Sequence, residues 1–472
     1  MALSPSLQAA IAANRFGLGE ADLAVVGGDA RAWLQAQIGP ADAPRGTGLL
    51  DTRQALELVA AEREARRQAL NPPPGTTIEQ AIAGHYREAI LADLRSRLIT
   101  AAASQRPFAE RLQWFWANHF TVSLLKGATR GLVGAFERDA IRPNIAGRFE
   151  TLLFAATTHP AMLRYLDNTQ SAGPHSRVVA LEARRAARRE ESARVTGINE
   201  NLAREVLELH TLGAESARDG LYTQADVTAF AAVLTGWRIG QDAVWTGRDP
   251  FDANWHEPGA KLVLGQSYGE GADALRQVLH NLALHRATAR FIATKLARHF
   301  IADEPPPALV DRLAATYLAS DGQLSEVYRE LIRSDAAWQE TPAKLKTPEE
   351  FVVSAARVLK LGERMFEPPA NGAAGYAAAG IAGLGQRIQA APSPAGWSDR
   401  GADWLGPDAV WKRIEWATRL ADRAGKTIDA RRVAAQCLGP LLGEETARQL
   451  ERAADGPQAL ALLLLAPEFQ RR

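Results

Sequence analysis

Residues Asn199–Trp237 read NENLAREVLELHTLGAESARDGLYTQADVTAFAAVLTGW, two helix patterns joined by one loop. At helical spacing Asn201, Glu205, Glu208 and Leu212 fall within a strip about 60° wide, with Arg204 and Thr211 beside it. Leu202, Val206 and Leu209 form the main apolar stripe, and Ala203, Leu207 and His210 the next, so this helix has packing partners on more than one side. His210 points roughly opposite Glu208. The two could share an ion only if the helix unwound there, for which Gly213, as a left-handed C-terminal cap, offers a place. The second helix opens at Thr223-Gln-Ala-Asp226, a capping box, and continues with Val227, Phe230, Ala231 and Leu234 at helical spacing. Gly236 ends it, and Trp237 follows as an anchor. The plainest account is an antiparallel helical hairpin whose Asn201/Glu205/Glu208 strip faces water, because Glu and Asn are mostly exposed residues. The competing account turns the same strip inward onto a site.

Helical patterns recur on both sides of this hairpin, and the chain is read as all-α (mainly), a large multi-helix globular body with long loops and at most a small β-hairpin. Helices are expected from Leu7 to Asn14, Asp29 to Ile38, Thr52 to Leu70, about Ile78 to Ser104, Ala146 to Thr158, His285 to Ile301, Pro307 to Ala319, Leu324 to Ser334, Asp408 to Arg423, Ile428 to Leu438 and Glu444 to Leu465. After Pro107, Phe108, Leu112, Phe115, Trp116 and His119 share one face, so His119 is read first as a buried neutral imidazole bonded to a backbone carbonyl. Burial among aromatics also tunes an imidazole for proton transfer, which keeps His119 a candidate. His159-Pro160 starts a further helix closed by Tyr165-Leu-Asp167-Asn168. Trp255-His256-Glu257-Pro-Gly259 is a turn carrying an imidazole beside a carboxylate, and the one hairpin is expected around Lys261 to Leu264. The expected organisation is an N-terminal helical region (1–168), an Arg-rich insertion (169–198), a central helical region with the candidate site (199–365), a Gly/Pro/Trp-rich extended segment (366–407) and C-terminal helices (408–472), integrated in one body. In the extended segment, tryptophans among prolines are read as pinning the chain across the body rather than binding a sugar.

Composition bounds the function classes. The 472 residues contain 46% apolar and 23% charged residues, as a globular protein does, and a formal net charge of +1 supplies no overall field for nucleic acid or an anionic membrane. One cysteine, Cys437, excludes an internal disulfide framework and a cysteine-based zinc cluster. No run approaches the roughly 18 apolar residues of a membrane helix. The opening MALSPSLQAAIAANRFGLGE lacks a basic region followed by a long apolar core, so the expected location is cytoplasmic, with periplasmic export alongside a signal-bearing partner left open. A Walker A loop, a dinucleotide fingerprint, His-Glu-x-x-His and a Gly-x-Ser-x-Gly elbow are all missing. Between Thr169 and Gly197 the arginines 177, 184, 185, 188, 189 and 194 alternate with Glu182, Glu190 and Glu191, the pattern of a solvated helix or loop.

Trp114-Phe-Trp-Ala-Asn-His119-Phe, His159-Pro-Ala-Met-Leu-Arg-Tyr165-Leu-Asp167-Asn168, Asn199-Glu-Asn201-Leu-Ala-Arg204-Glu205-Val-Leu-Glu208-Leu-His210-Thr-Leu-Gly213, Tyr222-Thr223-Gln-Ala-Asp226 and Leu234-Thr-Gly-Trp237, taken together and in this order, resemble the bacterial "domain of unknown function 1800" family. The likeness runs from Arg15-Phe-Gly-Leu-Gly to Pro394-Ala-Gly-Trp397. It implies a mainly helical bacterial protein and a partner of the "domain of unknown function 1501" family, which looks like alkaline phosphatases and sulfatases. Many relatives begin with a secretion signal, from which this chain departs. The resemblance supplies no settled catalytic residues.

Two functional readings follow. In the first the protein is an enzyme, a metal-dependent hydrolase or oxidase: Glu205 and Glu208 lie one turn apart, a geometry used by carboxylate metal sites in helical proteins, with His119, His159 and Asp167 as further ligands. His119, Glu205, Glu208 and His256 are then the catalytic candidates, and Asn201, Arg204, Tyr222, Asp226 and Trp237 the substrate-binding ones. A divalent metal ion is the expected cofactor. In the second reading the helical body is a non-catalytic partner or scaffold for the phosphatase-like protein, and the polar strip is a structural network.

Overall fold

Pro107 occupies the first turn of the Pro107–His119 helix, where its missing N–H is no loss. That helix runs between two apolar cores. Phe108, Leu112, Phe115 and Trp116 face the larger, and Trp114 packs into the smaller. The apolar stripe expected from spacing is therefore the buried face, and each large side chain on it contributes about 1.5–3 kcal/mol by leaving water.

The computed structural model describes residues 3–68, 84–189, 197–239, 250–366 and 376–472. Within them the protein is all-α with a small hairpin, β1 (Lys261–Val263) antiparallel to β2 (Gln266–Tyr268), in the register Lys261 opposite Tyr268. No helix among the described residues is long and apolar enough to cross a membrane. The larger core collects the N-terminal helices, the helices of the Asn199–Trp237 stretch and those from Ala272 to Trp338. The smaller is built by the helices Pro348–Val358, Pro407–Ala424, Ala430–Cys437 and Gly456–Leu465.

Buried arginines join the two cores. Arg111 donates to the carbonyls of Arg15 and Gly17 and pairs with Glu350 at 2.8 Å. Arg357 donates to the carbonyls of Gly19, Ala101 and Ser104 and pairs with Glu20. Arg15 donates to the carbonyls of Ala337, Gln339 and Thr341. A guanidinium satisfies several carbonyls that chain crossings would otherwise leave bare, which is how a polar seam survives burial.

Local expectations held at most helix ends. His159 and His285 each cap a helix by accepting an N–H through Nδ1, and Asp29 caps Ala30–Gln35. The Glu444–Leu465 expectation does not hold as one helix. The chain breaks into Glu444–Arg452 and Gly456–Leu465, because Asp455 caps the second and Pro457 opens it. Of the helix expected from Ile78, the described part is Arg87–Ala103, and residues 69–83 lie outside the described residues. The Arg-rich stretch forms an exposed helix, Arg177–Arg189, while Glu190, Glu191 and Arg194 lie outside them too.

In the 199–237 stretch the first helix is α-helical only over Asn201–Glu205 and π-helical over Val206–Thr211, with Leu212 N bonded to Leu207 O. The wider turn shifts every side chain after Val206 from the positions that 100° spacing assigns. Gly213 takes φ +90° and ψ 149°, a positive-φ turn rather than the expected left-handed helical cap. The Thr223–Asp226 capping box is present in both directions. Thr223→Ala is expected to lower stability by about 1 kcal/mol, read as a reduced urea midpoint, and Thr223→Ser to restore most of it. An unchanged midpoint in the alanine variant would count against the cap.

Candidate functional site

Asp226 shows what the polar residues of the hairpin do. Its Oδ2 accepts from Thr223 N and Oγ1, and its Oδ1 from Leu264 N at 2.7 Å, so the carboxylate ties the helix start to the β-turn. Arg204 bridges Glu200 and Gln224, both at 3.1 Å, in a surface network that Thr228 completes. Asn201 is exposed, and Trp237 is fully buried against Phe154 and Phe251. Glu205 and Glu208 are half-buried neighbours. Burial first, and then the Glu208 charge, push the Glu205 carboxyl up. Tyr222 lies close enough for burial and the Glu208 charge to raise its phenol.

The expected metal set is not assembled. His159 bonds Thr52 Oγ1 at 2.8 Å through Nε2 and caps its helix through Nδ1. Asp167 pairs with Lys126 at 2.6 Å, and His119 turns toward the carbonyl of His210 rather than toward Glu208. Among the described residues no three His, Cys, Asp or Glu side chains are gathered so as to hold a metal ion. The five proposed ligands therefore do not fit a common ion. His256 is equally committed: Nδ1–H donates to Thr235 O at 2.7 Å, while Nε2 accepts from Lys261 Nζ and Gly271 N. Both nitrogens hold the turn, and none is left for catalysis.

A different set of side chains lines a cavity of about 260 Å³ at the seam between the two cores. Its walls are the C-terminal turn of the Pro107–His119 helix, the Arg286–Phe300 helix, the start of the Pro348–Val358 helix and residues 386–400. Of the catalytic, binding and metal candidates read from sequence only His119 lies here. Within residues 394–400 it is the side chain of Asn118 that grips the backbone of Trp397. Asn118 Nδ2 donates to Trp397 O at 2.9 Å and Oδ1 accepts from Trp397 N at 2.8 Å. Gly396 permits that grip, since at φ +82° a Cβ would stand 2.5 Å from Asn118 O.

His299 and Asp399 form a dyad on this wall, Nδ1 to Oδ2 at 3.0 Å. Burial lowers the His299 pKa more than Asp399 raises it, so the ring is neutral at pH 7, and Nδ1–H is the donor. Nε2 carries the lone pair and has no hydrogen-bond partner among the described residues. Burial opposes the Asp399 charge, but the His299 Nδ1–H bond and the Lys344 and Arg472 charges outweigh it and hold the carboxyl below its ordinary range. His119 presents a second such nitrogen. Its Nε2–H donates to His210 O at 3.1 Å, leaving Nδ1 buried and unpartnered among the described residues.

Every carboxylate on the wall has a cation. Arg97 holds Glu137 at 2.8 Å and Glu349 at 2.6 Å, Arg111 and Arg472 hold Glu350, and Lys344 stands 3.8 Å from Asp399. Lys295 and Arg298 have no carboxylate within ion-pair distance among the described residues. Lys295 Nζ lies 5.4 Å from the Phe291 ring, and Arg298 Nε donates to Asp303 O. Burial lowers Lys295 to about 8, which leaves most of it charged at pH 7. The wall thus carries two cations without a carboxylate in ion-pair contact among the described residues, Lys295 still feeling the Asp399 charge, beside an imidazole base. The hydroxyls present are engaged elsewhere: Ser398 with Asp403, Thr121 with Asn118 O, Thr347 with Glu350 N. A nucleophile working with His299 would be water or a group on the ligand.

Sequence reading missed Lys295, Arg298, His299 and Asp399. His299 sits in an ordinary helix and Asp399 in an extended stretch, and no motif spacing links them. An imidazole on an aromatic-flanked helical face, as used for His119, is the one signal that would have raised His299.

No curated protein and no solved structure matches the chain. The family described as "Protein of unknown function (DUF1800)" matches residues 11–471. That span takes in both cores, the seam cavity and every residue of the His299–Asp399 wall, and the chain belongs to the DUF1800 family.

Proposed function

We propose that the protein is an enzyme that binds a small anionic substrate in the seam cavity and moves a proton there, with His299 as general base, Asp399 orienting it, and Lys295 and Arg298 holding the anion. The carrying observation is the juxtaposition on one wall of an imidazole, anchored through Nδ1 with Nε2 unpartnered among the described residues, and two cations with no carboxylate in ion-pair contact. A base fixed by a carboxylate is the arrangement that acyl- and ester-cleaving sites use to activate a hydroxyl or water. The volume is below the range of drug-sized pockets, about 300–1,000 Å³, and argues for a small ligand.

Calorimetric titration with inorganic phosphate, sulfate and acetate at pH 7 tests the anion site. At least one is expected to bind the wild-type chain, and Lys295→Met to weaken it about tenfold or more, the worth of one charged hydrogen bond. Absence of binding by all three sinks the reading. A panel of chromogenic phosphate, sulfate and carboxylate esters tests the base. Turnover that persists in a folded His299→Gln variant would remove His299 from the chemistry.

A second reading, a non-catalytic partner of a phosphatase- or sulfatase-like protein of the "domain of unknown function 1501" family, is favoured by one surface feature. Val410, Trp411 and Ile414 expose an apolar stripe on the Pro407–Ala424 helix, continued by Leu405, with Trp411 60% exposed. Co-purification of the two chains, lost in Trp411→Glu, supports this reading; no association at micromolar concentration counts against it.

A further inference from the structure

The seam cavity asks for more than an anion. His119 is 2% exposed, and its ring stands among Phe115, Trp116, Phe120, Phe149, Phe291 and, at 6.0 Å between ring centres, His210; none donates to its Nδ1, the Trp116 indole N–H being given to Tyr328 Oη. The backbone bond through Nε2–H fixes the tautomer, so Nδ1 is an acceptor. A buried acceptor without a donor costs free energy, and buried polar groups in native proteins are nearly always satisfied. A neutral imidazole lone pair repels an anion. What it accepts is an O–H or N–H on the ligand. Lys295 and Arg298 on the same wall disfavour a ligand ammonium, which leaves an uncharged donor. His299 Nε2 adds a second acceptor of the same kind.

We infer that the ligand is a small hydroxylated anion, its charged head on Lys295 and Arg298 and a hydroxyl donated to His119 Nδ1, so that His119 determines specificity. This rests on the anion-binding reading above and names the substrate class for it. Two source chemistries share these features, a phosphate ester of a short polyol and a short hydroxy acid. Sites built to hydrogen-bond a hydroxyl reject the analogue that lacks it strongly, because their own buried groups are then left unpaired.

Matched pairs separate the inference from the reading beneath it. Glycerol 3-phosphate is titrated against n-propyl phosphate, and glycerate against propionate, into the full chain by calorimetry. In at least one pair the hydroxylated member is expected to bind about tenfold tighter or more. His119→Phe, checked for fold by circular dichroism, is expected to erase that advantage. Should the variant not fold, the wild-type comparison decides alone. Equal affinities within each pair, with binding still weakened by Lys295→Met, overturn the inference and leave the anion site standing. No binding of any of the four overturns both. An advantage that survives His119→Phe overturns the assignment to His119.

Discussion

Glu350→Ala is expected to destabilise the folded chain by about 3–5 kcal/mol, because it strands two buried guanidinium groups at once. Arg111 lies 2.8 Å and Arg472 3.1 Å from Oε1, and both arginines are almost wholly buried. The same carboxylate completes a capping box with Thr347 at the start of the Pro348–Val358 helix. Burial by itself would raise the Glu350 pKa, but Arg472 and Arg111 outweigh it and hold it at about 2. Its contribution is therefore present above the ordinary glutamate range and is lost as the pH falls toward about 2. Chemical denaturation at pH 7 reads the loss as a fall in midpoint. A shift under about 1 kcal/mol would show that the seam tolerates unpaired arginines and that the network is not what holds the two cores together. Glu350→Leu combined with Arg111→Met and Arg472→Met is expected to recover much of the stability, since replacing a whole buried ionic set by apolar groups is often neutral or better.

Acidification gives the second large effect. Burial lowers His159 and His210 to about 3 each, from an ordinary 6.5. Below pH 6.5 the unfolded chain takes up protons that the fold refuses, so stability is full above that pH and declines toward pH 3. Each histidine contributes a slope of about 1.4 kcal/mol per pH unit. Asp93, raised to about 6 chiefly by burial, works in the opposite sense and offsets part of the decline below pH 6. His210 isolates the effect, because its Nδ1 has no partner among the described residues and its ring packs on Phe120. His210→Phe keeps the packing and is expected to flatten the slope by one proton between pH 6.5 and 5, with little change at pH 7.5. An unaltered pH dependence would mean that His210 is protonated in the fold.

Several sequence motifs far apart along the chain meet one another at side-chain amide junctions. Asn168 Nδ2 donates to the carbonyls of Leu234 and Trp237, so the His159–Asn168 and Leu234–Trp237 motifs meet there. Asn118 and Trp397 join the Trp114–Phe120 motif to Pro394–Trp397 in the same way. A reader of the sequence sees polar residues in memorable strings and suspects chemistry. Long helical bodies also need side-chain amides to close backbone groups wherever a loop crosses a helix end.

What the amino-acid order determined alone is the helical class and most helix boundaries. Caps and apolar stripes act between residues three or four apart, so Thr223 with Asp226, Asp29 before Ala30 and the Phe108–Trp116 face were readable in place. Only tertiary structure decided the site. Local spacing could not show the π-helical turn that redirects the chain after Glu205, nor that His119, Lys295, His299 and Asp399 share one wall. Charge pairing and burial act through space and ignore separation along the chain. Which imidazole keeps an unpartnered nitrogen, and which lysine lacks a carboxylate, depends on every side chain brought near it.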